Sequence, residues 1–313
     1  MLSYVVRRVL LGLGTVLIAV LISFVLVHLA PGSPGELILG AGATKAQIAA
    51  ENAKVGWDRP LLSQLGSYLG HLARGNLGIS IIDGHPIGSD LLKRLPVTGL
   101  IAVLATLVSG VAGLMLGMAA AVRGGLTNRA INVSSGVALS LPSFWIGVLL
   151  VYVFAIQFRI LPATGYVSPT VSPWQWLQSI ALPVIALSVA ATAVLARTAR
   201  ASVVQALDQP HVRMLRSLGT PRWRLLFVHV LRNASVPVVS VLGIQFVALF
   251  SGSIIIEGLF ALPGLGQAAS AAVTSHDFPA VEGVVIISSI VVVGVSLLLD
   301  LLVAALDPRV RTS

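Results

Sequence analysis

Residues 197–237 read RTARASVVQALDQPHVRMLRSLGTPRWRLLFVHVLRNASVP, and they set the topology of everything around them. The stretch carries seven arginines (Arg197, Arg200, Arg213, Arg216, Arg222, Arg224, Arg232) and one acid, Asp208, between two long apolar runs. An arginine at the centre of a bilayer costs about 2.5–3.5 kcal/mol, so the stretch lies outside the hydrocarbon. It does not read as a loose tether. Leu207, Leu215, Leu218, Trp223, Leu226, Phe227, Val230 and Leu231 predict packed helix faces around a Gly219-Thr220-Pro221 turn. A folded basic loop on one membrane face is a surface for a partner to grip.

The surrounding composition supports a membrane setting. The 313 residues are 56% hydrophobic and 10% charged, with a mean hydropathy of +0.96. That is the composition of a polytopic helical membrane protein. A net charge of +9 and a pI near 11.0 would suggest nucleic acid in a soluble protein. Here the positions of the charges exclude that partner and point to the membrane and its lipid. Cysteine is absent, which removes disulfide and thiol chemistry.

About 20 apolar residues cross a bilayer. The chain predicts six spans: Val9–Ala30, Thr98–Val122, Ile131–Phe158, Ile180–Arg197, Val236–Gly258 and Val281–Leu306. The first is too long for a signal-peptide core and reads as a retained span. The fourth has the narrowest apolar margin, with Pro183 near one end and Arg197 at the other. Gly110, Gly113 and Gly117 fall on nearby faces of the second span and predict close helix packing.

Six spans put both termini on one side. Thirteen of the 20 Lys and Arg residues then share that side, including Arg7, Arg8, Arg123, Arg129, Arg309, Arg311 and the seven loop arginines. The positive-inside rule predicts that both termini and the loop are cytoplasmic. The chain therefore divides into 1–30 (cytoplasmic N-terminus and first span), an extracytoplasmic segment 31–97, a five-span core 98–306 holding a docking loop at 198–235, and a cytoplasmic tail 307–313. Within 31–97, Leu61, Leu62, Leu65, Leu69 and Leu72 predict an amphipathic helix capping the membrane surface.

No engine is visible. No Gly-Lys dipeptide exists, so no phosphate-cradling G-x-x-x-x-G-K-[ST] loop does either; there is no G-x-S-x-G and no H-E-x-x-H. The six histidines are scattered and do not predict a metal site. Glu257, Glu282 and Asp300 lie near span ends, whereas a proton- or sodium-coupled carrier needs ionisable groups near the midplane. Ser140, Ser143, Ser240, Gln245 and Ser251 are candidates for a polar path, with helix–helix hydrogen bonding as the alternative. An intramembrane hydrolase finds no paired nucleophile and base. A self-sufficient channel or ion-coupled carrier remains the other class.

Ordered motifs then narrow the reading. They are Tyr4-Val5-Val6-Arg7-Arg8 leading to Leu29-Ala30-Pro31-Gly32, Asp58-Arg59-Pro60-Leu61, Gly75-Asn76-Leu77-Gly78-Ile79-Ser80 and Arg94-Leu95-Pro96-Val97-Thr98. Further along come Leu141-Pro142-Ser143-Phe144-Trp145-Ile146-Gly147, Leu161-Pro162-Ala163-Thr164-Gly165-Tyr166, Glu257 through Gly266 and Leu306-Asp307-Pro308-Arg309-Val310-Arg311. In this order they resemble permease subunits of bacterial ABC importers of the dipeptide/oligopeptide/nickel class, over nearly the whole chain.

The resemblance implies an all-α membrane protein with the type I ABC importer permease fold, in the bacterial inner membrane. It implies a second homologous permease subunit, two cytoplasmic ABC ATPase subunits and an external solute-binding protein. ATP and Mg would be bound by the ATPases and no cofactor by this chain, which is then no enzyme itself. The cargo would be di- or oligopeptides, with nickel chelates or another small solute as the alternative. Val212, Arg213, Arg216, Gly219, Pro221 and Arg232 match the family's ATPase-docking pattern of a short helix, a glycine and a second helix. Two departures stand out. Gln209-Pro210-His211 replaces the usual acidic and aromatic residues, and Leu218 replaces a basic one. Docking is thus expected to rest more on shape around Gly219 than on the arginines. Pro210 suits the start of the short helix, with Asp208 as a cap candidate.

Overall fold

A computed structural model describes residues 2–29, 31–40 and 42–306; the proposed tail 307–313 and the motif from Asp307 onward lie outside them. Among the described residues the secondary structure is helical apart from one isolated antiparallel bridge, Ile79 with Pro86. The helices are α1 (Leu2–Leu29), α2 (Pro34–Leu39), α3 (Lys45–Val55), α4 (Leu61–Ala73), α5 (Ile87–Arg123), α6 (Gly125–Ser140) and α7 (Ser143–Leu150). They continue with α8 (Pro173–Leu207), α9 (Pro210–Ser217), α10 (Arg222–Arg224), α11 (Leu231–Phe260), α12 (Leu265–Thr274) and α13 (Phe278–Leu306). Two π-helical stretches, Val151–Gln157 and Leu225–Val230, extend α7 and join α10 to α11.

Five helices are long and apolar enough to span a membrane, and α6 with α7 makes a sixth if that bent pair is one span. The predicted third span, Ile131–Phe158, is therefore not one straight helix. Its two halves meet at 101°. Pro142 has no amide to continue the ladder of α6, and it holds Leu141 in extended backbone at ψ 126°. The second span also differs: α5 starts at Ile87, 11 residues before Thr98, and carries Pro96 inside the helix. The amphipathic helix expected around Leu61–Leu72 is α4, joined by α2 and α3 in the same segment.

The described chain forms two compact units. Of the described residues, one unit contains 2–6, 97–262 and 294–306, the other those within 7–96 and 263–293. In the first unit α8 is central: 67% of its apolar window is buried, against 17–33% in the other long spans. This explains the narrow apolar margin of the fourth span. A helix surrounded by protein does not need a lipid-facing surface. Its buried Leu182, Ala186, Leu187 and Ala191 join Ile101 and Ala105 of α5, Ile146 of α7 and Leu249, Ile256 and Phe260 of α11 in the main core.

The predicted glycine packing is present. A Cβ on Gly113 would lie 2.5 Å from Leu195 Cβ, and one on Gly117 would lie 2.5 Å from Ala196 O and 2.6 Å from Ala199 Cβ. Gly110 meets Leu242 of α11 in the same way, at 2.6 Å. Helix α5 approaches α8 backbone to backbone, which small residues alone permit. The buried Glu257 near the end of α11 accepts a hydrogen bond from Thr98 Oγ1 at 2.7 Å.

In the second unit, Gly283 of α13 accepts Ile87 at 2.6 Å from its Cβ position, and Gly12 of α1 accepts Val293 at the same distance. Asp277, just ahead of α13, receives the Ser80 hydroxyl and the Ile81 amide. We expect Gly117→Leu to destabilise the folded protein by about 1–3 kcal/mol, the usual cost of overpacking. Thermal unfolding of the detergent-purified protein measures this, with Gly14→Leu as control, since nothing lies within 4 Å of a Cβ there.

Candidate functional site

The basic stretch is a platform built on the ends of two spans. Helix α8 runs without a break to Leu207, and α9 follows after Asp208 and Gln209. Gln209, not Asp208, occupies the N-cap of α9, and it makes no side-chain cap bond. Pro210 sits in the first turn, as expected where no amide donor is needed. The Asp208 carboxylate instead accepts from Arg213 Nη2 at 3.3 Å, an exposed pair that contributes little to stability.

Helix α9 ends in a Schellman turn. The Gly219 amide donates to Arg216 O and the Thr220 amide to Leu215 O. This closure requires a left-handed residue, and Gly219 has φ +77°. Nothing lies within 4 Å of where its Cβ would be, so the constraint on this position is conformational rather than steric. Pro221, at φ −60° and ψ 141°, then caps α10.

The platform has its own core. Val203 and Ala206 of α8, Val212 of α9, Leu225 and Val230 of the π-helical stretch and Ala234 of α11 are all buried together. Leu207, Leu215 and Ala121 pack against them. Leu225 escapes the sequence reading because of the π turns. Its partner on the same face is five residues on, at Val230, whereas an α-helical reading selects Leu226, Phe227 and Val230. Phe227 faces outward as a result, and Leu218 and Trp223, also expected as packing residues, face outward as well. Leu218, Trp223 and Phe227 are 72%, 65% and 55% exposed, and Met214 is 58% exposed. Arg213, Arg216, Arg222, Arg224 and Arg232 are also exposed. The outer surface thus combines apolar and aromatic side chains with guanidinium groups.

The path candidates separate into two groups. Ser240 and Ser251 share one exposed face of α11 with Ile244, Ala248 and Ile255, at intervals of three and four residues. Gln245 lies beside that face and is half-buried. Ser140 and Ser143 flank the bend at Pro142. The hydroxyls of Ser140 and Ser240 donate to their own helices, at Gly136 O and Val236 O.

Comparison with known proteins names the scaffold. Residues 113–312 match the family described as the binding-protein-dependent transport system inner membrane component, and residues 1–102 match its N-terminal region. The chain belongs to this family. It is a multi-pass inner-membrane permease of an ABC transport system, and ATP hydrolysis in such systems resides on separate subunits. A putative peptide transport system permease of Brucella abortus (strain 2308) is 34% identical over 312 residues, covering 99% of both chains. A probable peptide ABC transporter permease of Sinorhizobium fredii is 34% identical over 309 residues, 98% of this chain and 99% of that one. The glutathione transport system permease GsiC of Salmonella typhi is 33% identical over 312 residues, again 99% of both. Among solved structures, the crystal structure of an amino acid ABC transporter with histidines aligns with a TM-score of 0.51 at 20% identity. It covers 68% of this permease and 92% of that chain, and supports the type I permease fold.

Replacing Leu225 by Ala removes a buried side chain from the platform core and is expected to cost about 2–5 kcal/mol locally. Limited trypsin digestion of the detergent-solubilised permease measures it. Cleavage after Arg213, Arg216, Arg222 and Arg224 should accelerate several-fold, while Phe227→Ala, on the exposed side, should leave the rate unchanged.

Proposed function

We propose that this permease forms half of the translocation path of an ATP-driven importer of di- and oligopeptides. The platform between α8 and α11 receives a cytoplasmic ATPase subunit. A second, homologous permease supplies the other half of the path, a second ATPase docks on it, and an external binding protein delivers the peptide. ATP and Mg belong to the ATPases. The platform and both termini face the cytoplasm, in keeping with the arginine distribution. The peptide cargo is supported by full-length relatives named as peptide and glutathione permeases.

One observation carries the coupling. The buried core of the platform is made jointly by Val203 and Ala206 of α8 and by Val230 and Ala234 of α11. A partner that shifts α9 therefore shifts the ends of two spans, because a packed core moves as a body rather than deforming. The exposed Met214, Leu218, Trp223 and Phe227 give that partner an apolar footing, and Arg213 and Arg216, three apart on α9, give it charge to meet. On α11, the exposed stripe through Ser240 and Ser251 is the face we assign to the path.

Gly219→Val should leave the permease inserted and associated with its ATPases but uncouple hydrolysis from uptake. A β-branched residue at φ +77° opposes the Schellman turn by about 1–2 kcal/mol and so misplaces α9. Affinity purification from the native membrane, ATPase assay and labelled-dipeptide uptake test this together. Normal uptake by Gly219→Val rejects the lever. Solute flux through the purified chain alone, without ATP, rejects the importer reading.

A further inference from the structure

The second compact unit contains a cavity of about 340 Å³ that the platform mechanism does not use. It lies where α1, the stretch before α4, α4 itself and the start of α13 come together. Its walls are aromatic. Trp57 stacks on His28 at 4.4 Å with the planes 6° apart, and Phe278 lies parallel to Trp57 at 6.3 Å. Tyr68 stacks on Phe24 at 5.8 Å.

The polar groups of this cavity divide into spent and unspent. His28 is spent: Nδ1 meets Phe24 O at 2.8 Å and Nε2 meets Gln64 Oε1 at 3.0 Å. Gln64 is spent as well, since its Nε2 donates to Trp57 O and Arg59 O, both at 2.8 Å. These bonds fix the back wall. The Glu282 carboxylate is only 8% exposed and forms none of the ion pairs found among the described residues. The Tyr68 hydroxyl is buried, and the group beside it is the Glu282 carboxylate. Burial, with the Glu282 carboxylate beside it, pushes the Tyr68 phenol well above its ordinary range, so it stays protonated. At the rim, the exposed Arg59 supplies a guanidinium.

A buried carboxylate and its neighbouring phenol inside an aromatic box, with a cation at the mouth, form a dipolar receptor. A buried acid outside any ion pair is costly to keep charged, and aromatic faces favour an ammonium ion over a neutral group. The volume falls in the range of small-molecule sites. We infer that this cavity binds a small zwitterion, its ammonium on Glu282 between Trp57 and Tyr68 and its carboxylate on Arg59. A dipeptide and a free amino acid share this chemistry. The inference deepens the peptide-importer reading and rests on it for the choice of ligand.

The test uses the full-length permease with its membrane partners in lipid nanodiscs, prepared without the external binding protein. Equilibrium dialysis with labelled alanylalanine should show saturable binding. Glu282→Gln and N-acetylation of the probe should each weaken it at least tenfold, and the acetylated probe should no longer distinguish Glu282→Gln from the native chain. Arg59→Gln and amidation of the probe should behave as a second such pair. Tyr68→Phe, which keeps the ring, should weaken binding several-fold and guards against misfolding of the Glu282 variant. Alanine in parallel separates the two sources, and saturable binding of either supports the site. Absence of saturable binding, or binding indifferent to both Glu282→Gln and Tyr68→Phe, overturns it. The two readings fail separately. If dialysis succeeds but cells take up no peptide, the cargo assignment falls and the site stands. If uptake is normal but dialysis shows no binding, the site alone falls.

Discussion

Helix α8 can occupy the middle of its unit because its neighbour presents no side chains where the two backbones meet. At Gly113 and Gly117 the approach of α5 leaves no room for even a methyl group against Leu195, Ala196 and Ala199. In lipid there is little hydrophobic gain from bringing two apolar helices together, so van der Waals contact at short range must hold them. That contact fixes the lower half of α8. The same helix then continues as a single rod to Leu207, where Val203 and Ala206 enter the core of the basic platform. Tight packing within the membrane and the position of the platform outside it are thus properties of one helix.

The composition of the platform follows from what each face must do. Its inner face is small and apolar, with Val212, Val230 and Ala234 almost fully buried. Its outer face keeps long side chains of both kinds exposed. A guanidinium on a long apolar stem can lie against Trp223 or Leu218 and still reach an acidic partner. With Leu218 in place of a basic residue, the surface next to the Gly219 turn is apolar. A docking partner would therefore meet shape and apolar area there first, with charge around the edge.

Much of this was legible in the chain itself. Hydropathy marked the regions of the five spanning helices and of the bent pair α6–α7, and spacing alone picked out Gly110, Gly113 and Gly117 as contact residues. Val212, Gly219 and Pro221 stand at a buried position, a left-handed turn and a helix cap, as their residue types suggest. What was not legible has particular causes. Apolar length cannot reveal the 101° bend at Pro142, because both halves are apolar and proline is tolerated within α8 and α11 at Pro183 and Pro237. The outward turn of Phe227 follows from π-helical backbone, which shifts the buried face by one residue per turn and leaves no compositional mark. The length of α5 was underestimated because its first 11 residues contain Asp90, Lys93 and Arg94, which end an apolar run but not a helix. The cavity around Glu282 joins residues 24–28, 57–68 and 278–282, a grouping made by tertiary packing alone.

Glu257 and Glu282 show why sequence position near a span end does not define a role. Both are buried acids in apolar helices, and both qualify equally as functional suspects by composition. Glu257 is completely enclosed and takes the hydroxyl of Thr98 at 2.7 Å, tying α11 to α5 near the point where α11 ends at the left-handed Ala261. Its carboxyl group is turned to a donor of the protein itself, as befits a strut. Glu282 faces a cavity wide enough for a small molecule, with an aromatic wall on one side and the Tyr68 phenol beside it. A buried polar group bonded wholly within the fold specifies structure, and one that also faces a void has a side left over for something else. The distinction lies in the partners each carboxylate has found, and it separates the acid that holds this permease together from the acid that is placed to hold something else.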